Sequence, residues 1–508
     1  MYSRQMRVDN KNNGAFFNDV DLSDLRKKSI RGGAISIGNQ ALKFLLRAGS
    51  TVVMARLLTP SDFGLVAMVS SFIGFVTMFR DFGLSIATIQ KQSITEDQLT
   101  GLFWVNVLLG LIAMTVCFAC APIIGFFYGE PRAQSITIAF GGIAIISSLG
   151  AQHSAVLERQ MRFGTLAARD LSALLVGVIC GIISAFFGLR FWALIIMQAA
   201  NTISGTIFLW LKSGWRPGFP KRAAGLRKLL EFGGAQTICS MLAFANHNMD
   251  NILIGKFLGG AAVGFYSKAQ ALLNTPLAQI LPPVMKVSTP MFSRLIIDPS
   301  QFRRATIKLT EILCFGGSIL VMVIFSNADW IVLLMLGNQW IETIPVFKLL
   351  AIFGLLEPIS WLLGTILVAS GKPNSMAVWW AVTVVVVLAC ILAGLPWGIM
   401  GVAVGFVLSG IVTRLWLVFF VSKKIGMSGL KLILACAPFV VTACGVSILM
   451  TFLRTVWEPQ NVLIGVASFA PFGTGVYILV LFCIPKTREF LRNLYQMGFL
   501  AFHSLKSN

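Results

Sequence analysis

The side chains of this sequence best placed to do chemistry are charges set inside apolar runs. Lys43 and Arg47 stand four residues apart in ALKFLLRAGS, Arg80 and Asp81 are adjacent in MFRDFGLS, and Glu357 and Arg414 lie alone in long hydrophobic stretches. FANHNMDNILIGKF, from Phe244 to Phe257, gathers Asn246, His247, Asn248, Asp250 and Asn251 within six positions, and Lys268 follows. A charge at the centre of a membrane-spanning helix costs about 2.5 to 3.5 kcal/mol on the mildest scale, so such residues face a wet cavity or a partner. Counted from Gly33 at 1.5 Å per residue, Lys43 lies about 15 Å and Arg47 about 20 Å deep, on one helix face. Neither snorkels easily from that depth, so both are expected in a cavity. Arg80, Lys268 and Arg414 extend the set of cavity cations. Asp81, His247, Asp250 and Glu357 are the candidates for ion or proton coupling, with Lys268 a partner for Asp250. Arg80 and Asp81 equally fit a salt-bridged packing network, and His247 a hydrogen-bonded structural role.

The elements that position these charges are helices in a bilayer. Of 508 residues, 56% are hydrophobic and 12% charged, which no globular core of that size needs. Apolar stretches long enough to cross about 30 Å of hydrocarbon recur fourteen times. They lie roughly at 33–56, 62–89, 98–128, 134–157, 165–187, 191–211, 230–256, 261–292, 305–326, 344–369, 375–395, 399–421, 430–453 and 461–484. The expected fold is therefore an all-α polytopic membrane protein. Pro276, Pro282, Pro283 and Pro290 interrupt the eighth stretch, as a hinge or a static kink.

The stretches fall into two related halves. VVMARLLTPSDF (Val52 to Phe63) and ILIGKFLGGAAV (Ile252 to Val263) align without gaps, matching Arg56 to Lys256 and Leu58 to Leu258, and Gly64 and Gly264 follow. Farther on, GLRFWALII (Gly188 to Ile196) pairs with GIMGVAVGF (Gly398 to Phe406). The reading is a basic N-terminal tail (1–32), an N-terminal lobe of six helices (33–212), a basic linker (213–229), a C-terminal six-helix lobe (230–421), two accessory helices (430–484) and a C-terminal tail (485–508). Paired bundles of this kind suggest a transporter with its pathway between them.

The net charge of +21 follows the topology and does not call for nucleic acid. Basic residues crowd the N-terminal tail, the loops after even-numbered helices and the C-terminal tail, which makes both termini cytoplasmic and the span number even. The first thirty residues show no signal-peptide pattern, so helix 1 is expected to be an uncleaved anchor. Asp21 to Gly32 suits a short amphipathic helix on anionic lipid or a solvated tail.

Catalysis has little room. Outward loops are a few residues long apart from 327–342, inward ones reach about twenty residues, and only three histidines exist. No zinc-protease, nucleophile-elbow or phosphate-loop motif is found. The nine cysteines lie inside apolar spans, and Cys117 and Cys120 lack a second pair and a nearby histidine, so neither disulfides nor metals are expected. No cofactor is implied.

Four segments carry a family resemblance: ARLLTPSDFGLVAM (Ala55 to Met68), RDFGLSIATIQ (Arg80 to Gln90), LERQMRFGTLA (Leu157 to Ala167) and above all NHNMDNILIGKFLGGAAVGFYSKAQAL (Asn246 to Leu272). Over about residues 30 to 485 the chain resembles the lipopolysaccharide and capsule oligosaccharide flippases. These are the polysaccharide transporter branch of the multidrug/oligosaccharidyl-lipid/polysaccharide exporter superfamily, and the similarity is to exporters of the colanic acid type. The resemblance implies that an undecaprenyl-diphosphate-linked oligosaccharide moves outward across a bacterial inner membrane by alternating access. Membrane lipids, a polysaccharide polymerase and chain-length machinery would be its partners. It supports cationic cavity residues as a class without fixing positions. A lipid II-type flippase, an ion-coupled small-molecule antiporter and a polysaccharide polymerase are the alternatives.

Overall fold

In the computed structural model the described backbone covers residues 22–81, 88–89, 94–219, 226–369, 373–457 and 462–506. Within it, the side chains of 22–37, 78–81, 226–240, 280, 282–283, 286–287, 368, 373–374, 377 and 497–506 lie outside the description. The described residues are helical, without strands. Ten helical stretches among them are long and apolar enough to cross a membrane, and one, Val378–Lys424, runs through a turn between two helices. Phe126, Phe187 and Ile448 are among many large apolar side chains left on the outside, as a lipid-facing surface requires. The protein is a multi-pass membrane protein.

Two compact units divide the chain at Gly264 and Phe265. The first contains α1 (Leu22–Leu57), α2 (Pro60–Asp81), α3 (Glu96–Tyr128), α4 (Pro131–Arg159), α5 (Phe163–Phe186), α6 (Trp192–Lys212) and the first limb of α7 (Leu226–Leu295). Small residues set its packing, because in lipid only close backbone approach yields enough contact. A Cβ added at Gly110 of α3 would lie 2.3 Å from Ser148 Oγ of α4, and one at Gly177 of α5 2.8 Å from the Met197 carbonyl of α6. Cys117 packs in the same way, its Cβ 3.0 Å from where a Gly141 Cβ would stand. A capping box starts α3, with Thr95 Oγ1 accepting from Gln98 N–H and Gln98 Oε1 accepting from Thr95 N–H. Gly129, in the left-handed region at φ 65°, ends it.

The repeat is visible in local geometry. Gly64 and Gly264 meet where α2 crosses the part of α7 just after its kink. A Cβ on Gly64 would stand 1.7 Å from the Gly260 carbonyl oxygen, and one on Gly264 2.0 Å from that of Pro60. No larger residue fits either position. The other matched glycines, Gly188 and Gly398, are both left-handed, at φ 75° and 67°. Gly188 lies in the turn before α6, and Gly398 opens α12.

The second unit holds the rest of α7, α8 (Pro299–Met335), α9 (Thr343–Gly354), α10 (Glu357–Ala369), α11 (Pro373–Gly394), α12 (Gly398–Lys424), α13 (Gly429–Val456), α14 (Val462–Cys483) and α15 (Pro485–Lys506). Its core joins Cys314, Met322 and Trp330 of α8 to Phe439, Val446 and Met450 of α13 and Phe469 and Tyr477 of α14.

Three local expectations change. The four prolines do not interrupt the eighth stretch: the non-helical backbone in α7 is at Gly259, φ 83°, because proline is tolerated in a membrane helix whereas a left-handed glycine breaks it outright. Residues 327–335, expected as an outward loop, continue α8 beyond a kink at Asn327, whose Nδ2 donates to the Val323 carbonyl at 2.8 Å. The segment after 484, expected as a tail, is helical to Lys506. It is docked at its start, where Phe490 packs edge-on against Phe439 at 5.2 Å.

Candidate functional site

In the first unit the site grows from α1 and α5. Lys43 Nζ donates to Asp170 Oδ2 at 2.8 Å, and the other oxygen, Oδ1, accepts from Arg169 Nη1 at 2.9 Å. The three side chains are neither dry nor free, with exposures of 16% for Lys43, 34% for Asp170 and 30% for Arg169. Gly205 of α6 leaves room for the Arg169 guanidinium: a Cβ there would come within 3.0 Å of Nε. Arg47, one turn beyond Lys43, is exposed and has no hydrogen-bond or ion-pair partner among the described residues. Arg80 and Asp81 fall on α2, but their side chains lie outside the described residues.

The polar cluster on the first limb of α7 is largely buried, as Asn246, Asp250 and Asn251 show. Asp250 Oδ1 accepts from the Asn251 N–H at 2.8 Å, and the side-chain oxygens of Asn246 and Asn251 have no hydrogen-bond partner among the described residues. His247 is exposed. Lys268, half-buried, falls in the second unit and Asp250 in the first.

In the second unit Glu357 and Arg414, expected separately as an acid for coupling and a cavity cation, are each other's partner. Arg414 Nη2 donates to Glu357 Oε1 at 2.7 Å, and their side chains are 6% and 10% exposed. Ser360 Oγ accepts from Arg414 Nε at 3.1 Å, Trp361 Nε1 donates to Glu357 Oε2 at 3.1 Å, and the guanidinium lies 4.2 Å from the Phe353 ring centre. A buried pair survives only with its remaining donors and acceptors satisfied in this way. Gly410 makes space for Phe353, since a Cβ there would meet its ring at 2.5 Å.

Sequence reading missed the acids that hold these cations. Asp170 follows Arg169 near the start of the stretch 165–187, and only the α1–α5 packing brings it to Lys43. Asp329 was hidden in the supposed loop, yet it pairs with Arg454 through both guanidinium nitrogens, the guanidinium lying 3.7 Å from the Trp330 ring centre. Arg56 is exposed at the end of α1. Lys256, its repeat equivalent, donates to the Phe127 carbonyl at 2.6 Å. His153 stacks on Trp210 at 4.5 Å and is fully buried, a packing position. No group of three metal-ligating side chains occurs among the described residues.

Among solved structures the fold is similar to the lipid II flippase MurJ in an inward closed conformation, with a TM-score of 0.70 at 12% identity, covering 92% of this chain and 100% of that one. It is also similar to an inward-facing multidrug resistance transporter of the MATE family and MOP superfamily, with a TM-score of 0.60 at 14% identity over 76% and 94% of the two chains. In sequence it is 26% identical to the lipopolysaccharide biosynthesis protein WzxC of Escherichia coli K12, over 79% of this chain and 82% of that protein. It is likewise 26% identical to the teichuronic acid biosynthesis protein TuaB of Bacillus subtilis, where the match spans 60% of this chain and 64% of TuaB. A membrane protein from the cps region of Klebsiella pneumoniae is 25% identical over 91% and 96% of the two chains. Residues 53–345, more than half of the chain, match the family described as polysaccharide biosynthesis protein, and the chain belongs to that transporter family, within the fold of the multidrug/oligosaccharidyl-lipid/polysaccharide exporters.

Proposed function

We propose that the protein is a flippase that carries an undecaprenyl-diphosphate-linked oligosaccharide outward across a bacterial inner membrane for surface polysaccharide synthesis of the colanic acid, O-antigen or capsule type. The observation that supports this most is the group of partly exposed cations, Lys43 and Arg47 on α1 and Arg169 on α5, the last in a helix long and apolar enough to cross a membrane. An unpaired sugar hydroxyl costs about 4 to 8 kcal/mol in hydrocarbon, so the glycan needs a hydrated path. The diphosphate needs cations within that path, while the polyprenyl tail stays in lipid. Both termini face the cytoplasm in this reading, and the two halves expose the cargo alternately to either side.

Asp250, buried with two amide oxygens beside it, is the group for ion coupling. An inside-negative potential adds about 2.3 kcal/mol per charge per 100 mV to outward movement of an anion.

The fold similarity to MurJ favours one second reading, a flippase for a peptidoglycan precursor. Deleting the gene in its own host separates the two. Loss of surface polymer with viable cells is expected, and lethal lysis would favour the second reading.

A further inference from the structure

Asp170 sits where a transported anion would sit. Its two oxygens are divided between two cations on different helices, Oδ2 to Lys43 and Oδ1 to Arg169. A phosphate group offers the same pattern of oxygens to the same donors, and guanidinium and ammonium groups bind either anion by charge-assisted hydrogen bonds. The position is built for this purpose: α6 carries glycine at 205 where any Cβ would press on the Arg169 guanidinium. It is also open, since all three side chains keep part of their surface exposed. The Arg414 and Glu357 pair, by contrast, is almost fully enclosed.

We propose that Lys43 and Arg169 form an oxyanion site for the diphosphate of the lipid-linked cargo, and that Asp170 is its resident counter-anion, displaced from Lys43 when cargo binds. The inference rests on the flippase reading and adds to it a role for Asp170 and a reason for the acid. Two uncompensated cations among packed membrane helices are costly in the empty transporter. Without a competitor they would also hold a diphosphate too firmly to let it go. A carboxylate that exchanges with the cargo compensates the cations when empty and weakens the loaded state, so that binding and release are both possible. Arg47, one turn farther along α1 and unpaired among the described residues, brings the local total to three cations and one carboxylate. The net charge of +2 suits a polyanion.

The test uses the full-length protein in lipid nanodiscs, with farnesyl diphosphate as the probe and farnesol as the phosphate-free control. Asp170→Asn is expected to bind farnesyl diphosphate about tenfold more tightly than wild type, about 1.4 kcal/mol. Asp170→Glu should remain near wild type, and farnesol should not distinguish them. In a Lys43→Gln background the gain from Asp170→Asn should largely vanish. A gain in affinity cannot arise from misfolding. Equal or weaker binding by Asp170→Asn, with wild type still binding the probe, overturns the role of Asp170 and leaves the flippase reading standing. Failure of wild type and every variant to bind farnesyl diphosphate overturns both.

Discussion

At the scale of single residues, the same kind of signal, a charge in an apolar run, leads to two different environments. Lys43 and Arg47 keep part of their surface exposed, so Arg47→Ala or Lys43→Ala is expected to abolish export of polymer in cells while protein abundance stays at the wild-type level, as read by immunoblot. Arg414 is enclosed with Glu357. Removing one partner of such a pair typically costs about 3 to 5 kcal/mol, because the other charge is left buried and alone. Arg414→Met should therefore lower the thermal midpoint in detergent sharply, and Glu357→Leu added to it should restore most of the loss. For Asp250 the expectation is that Asp250→Asn weakens ion-driven transport in proteoliposomes. An ion dependence identical to wild type would assign it to packing. The cations were legible in the sequence because the bilayer penalises them wherever they stand. Their pairing with carboxylates was not, although Glu357 itself stood out as an acid. The contact between Lys43 and Asp170 spans 127 positions, and that between Arg414 and Glu357 spans 57, so both depend on which helices pack together.

Among the elements, glycine placement decides more than proline placement. The α2 crossing at Gly64 and Gly264 brings backbone onto backbone, and the internal repeat had already singled out these two positions. Overpacking in a well-filled core costs about 1 to 3 kcal/mol; here the obstacle is a carbonyl oxygen that cannot turn aside. Gly64→Val or Gly264→Val should accordingly reduce the yield of monodisperse protein on size exclusion, whereas Gly49→Ala, which faces open space, should not. The prolines of α7 leave its backbone angles helical, since proline is tolerated in membrane helices, and the break falls at Gly259 instead. The helices 328–335 and 485–506 were missed for another reason. Their polar residues suggested a loop and a tail, but Arg454 satisfies Asp329, and Phe490 and Leu491 anchor the start of α15 on the second unit.

For the whole molecule, composition made the helical membrane class legible from sequence alone. Apolar content and repeat spacing are properties of long stretches and tolerate local error. The chemistry of the cargo is a property of a few side chains and needs a direct assay. The most direct one reconstitutes the purified protein in liposomes carrying an undecaprenyl-diphosphate-linked oligosaccharide and follows, with an externally added glycosidase, how much glycan becomes accessible from the opposite leaflet. Wild type is expected to move the glycan, and the Lys43→Ala, Arg47→Ala double variant is expected to move none at equal protein content. Movement at the wild-type rate by the double variant, or no movement by wild type above protein-free liposomes, would contradict it.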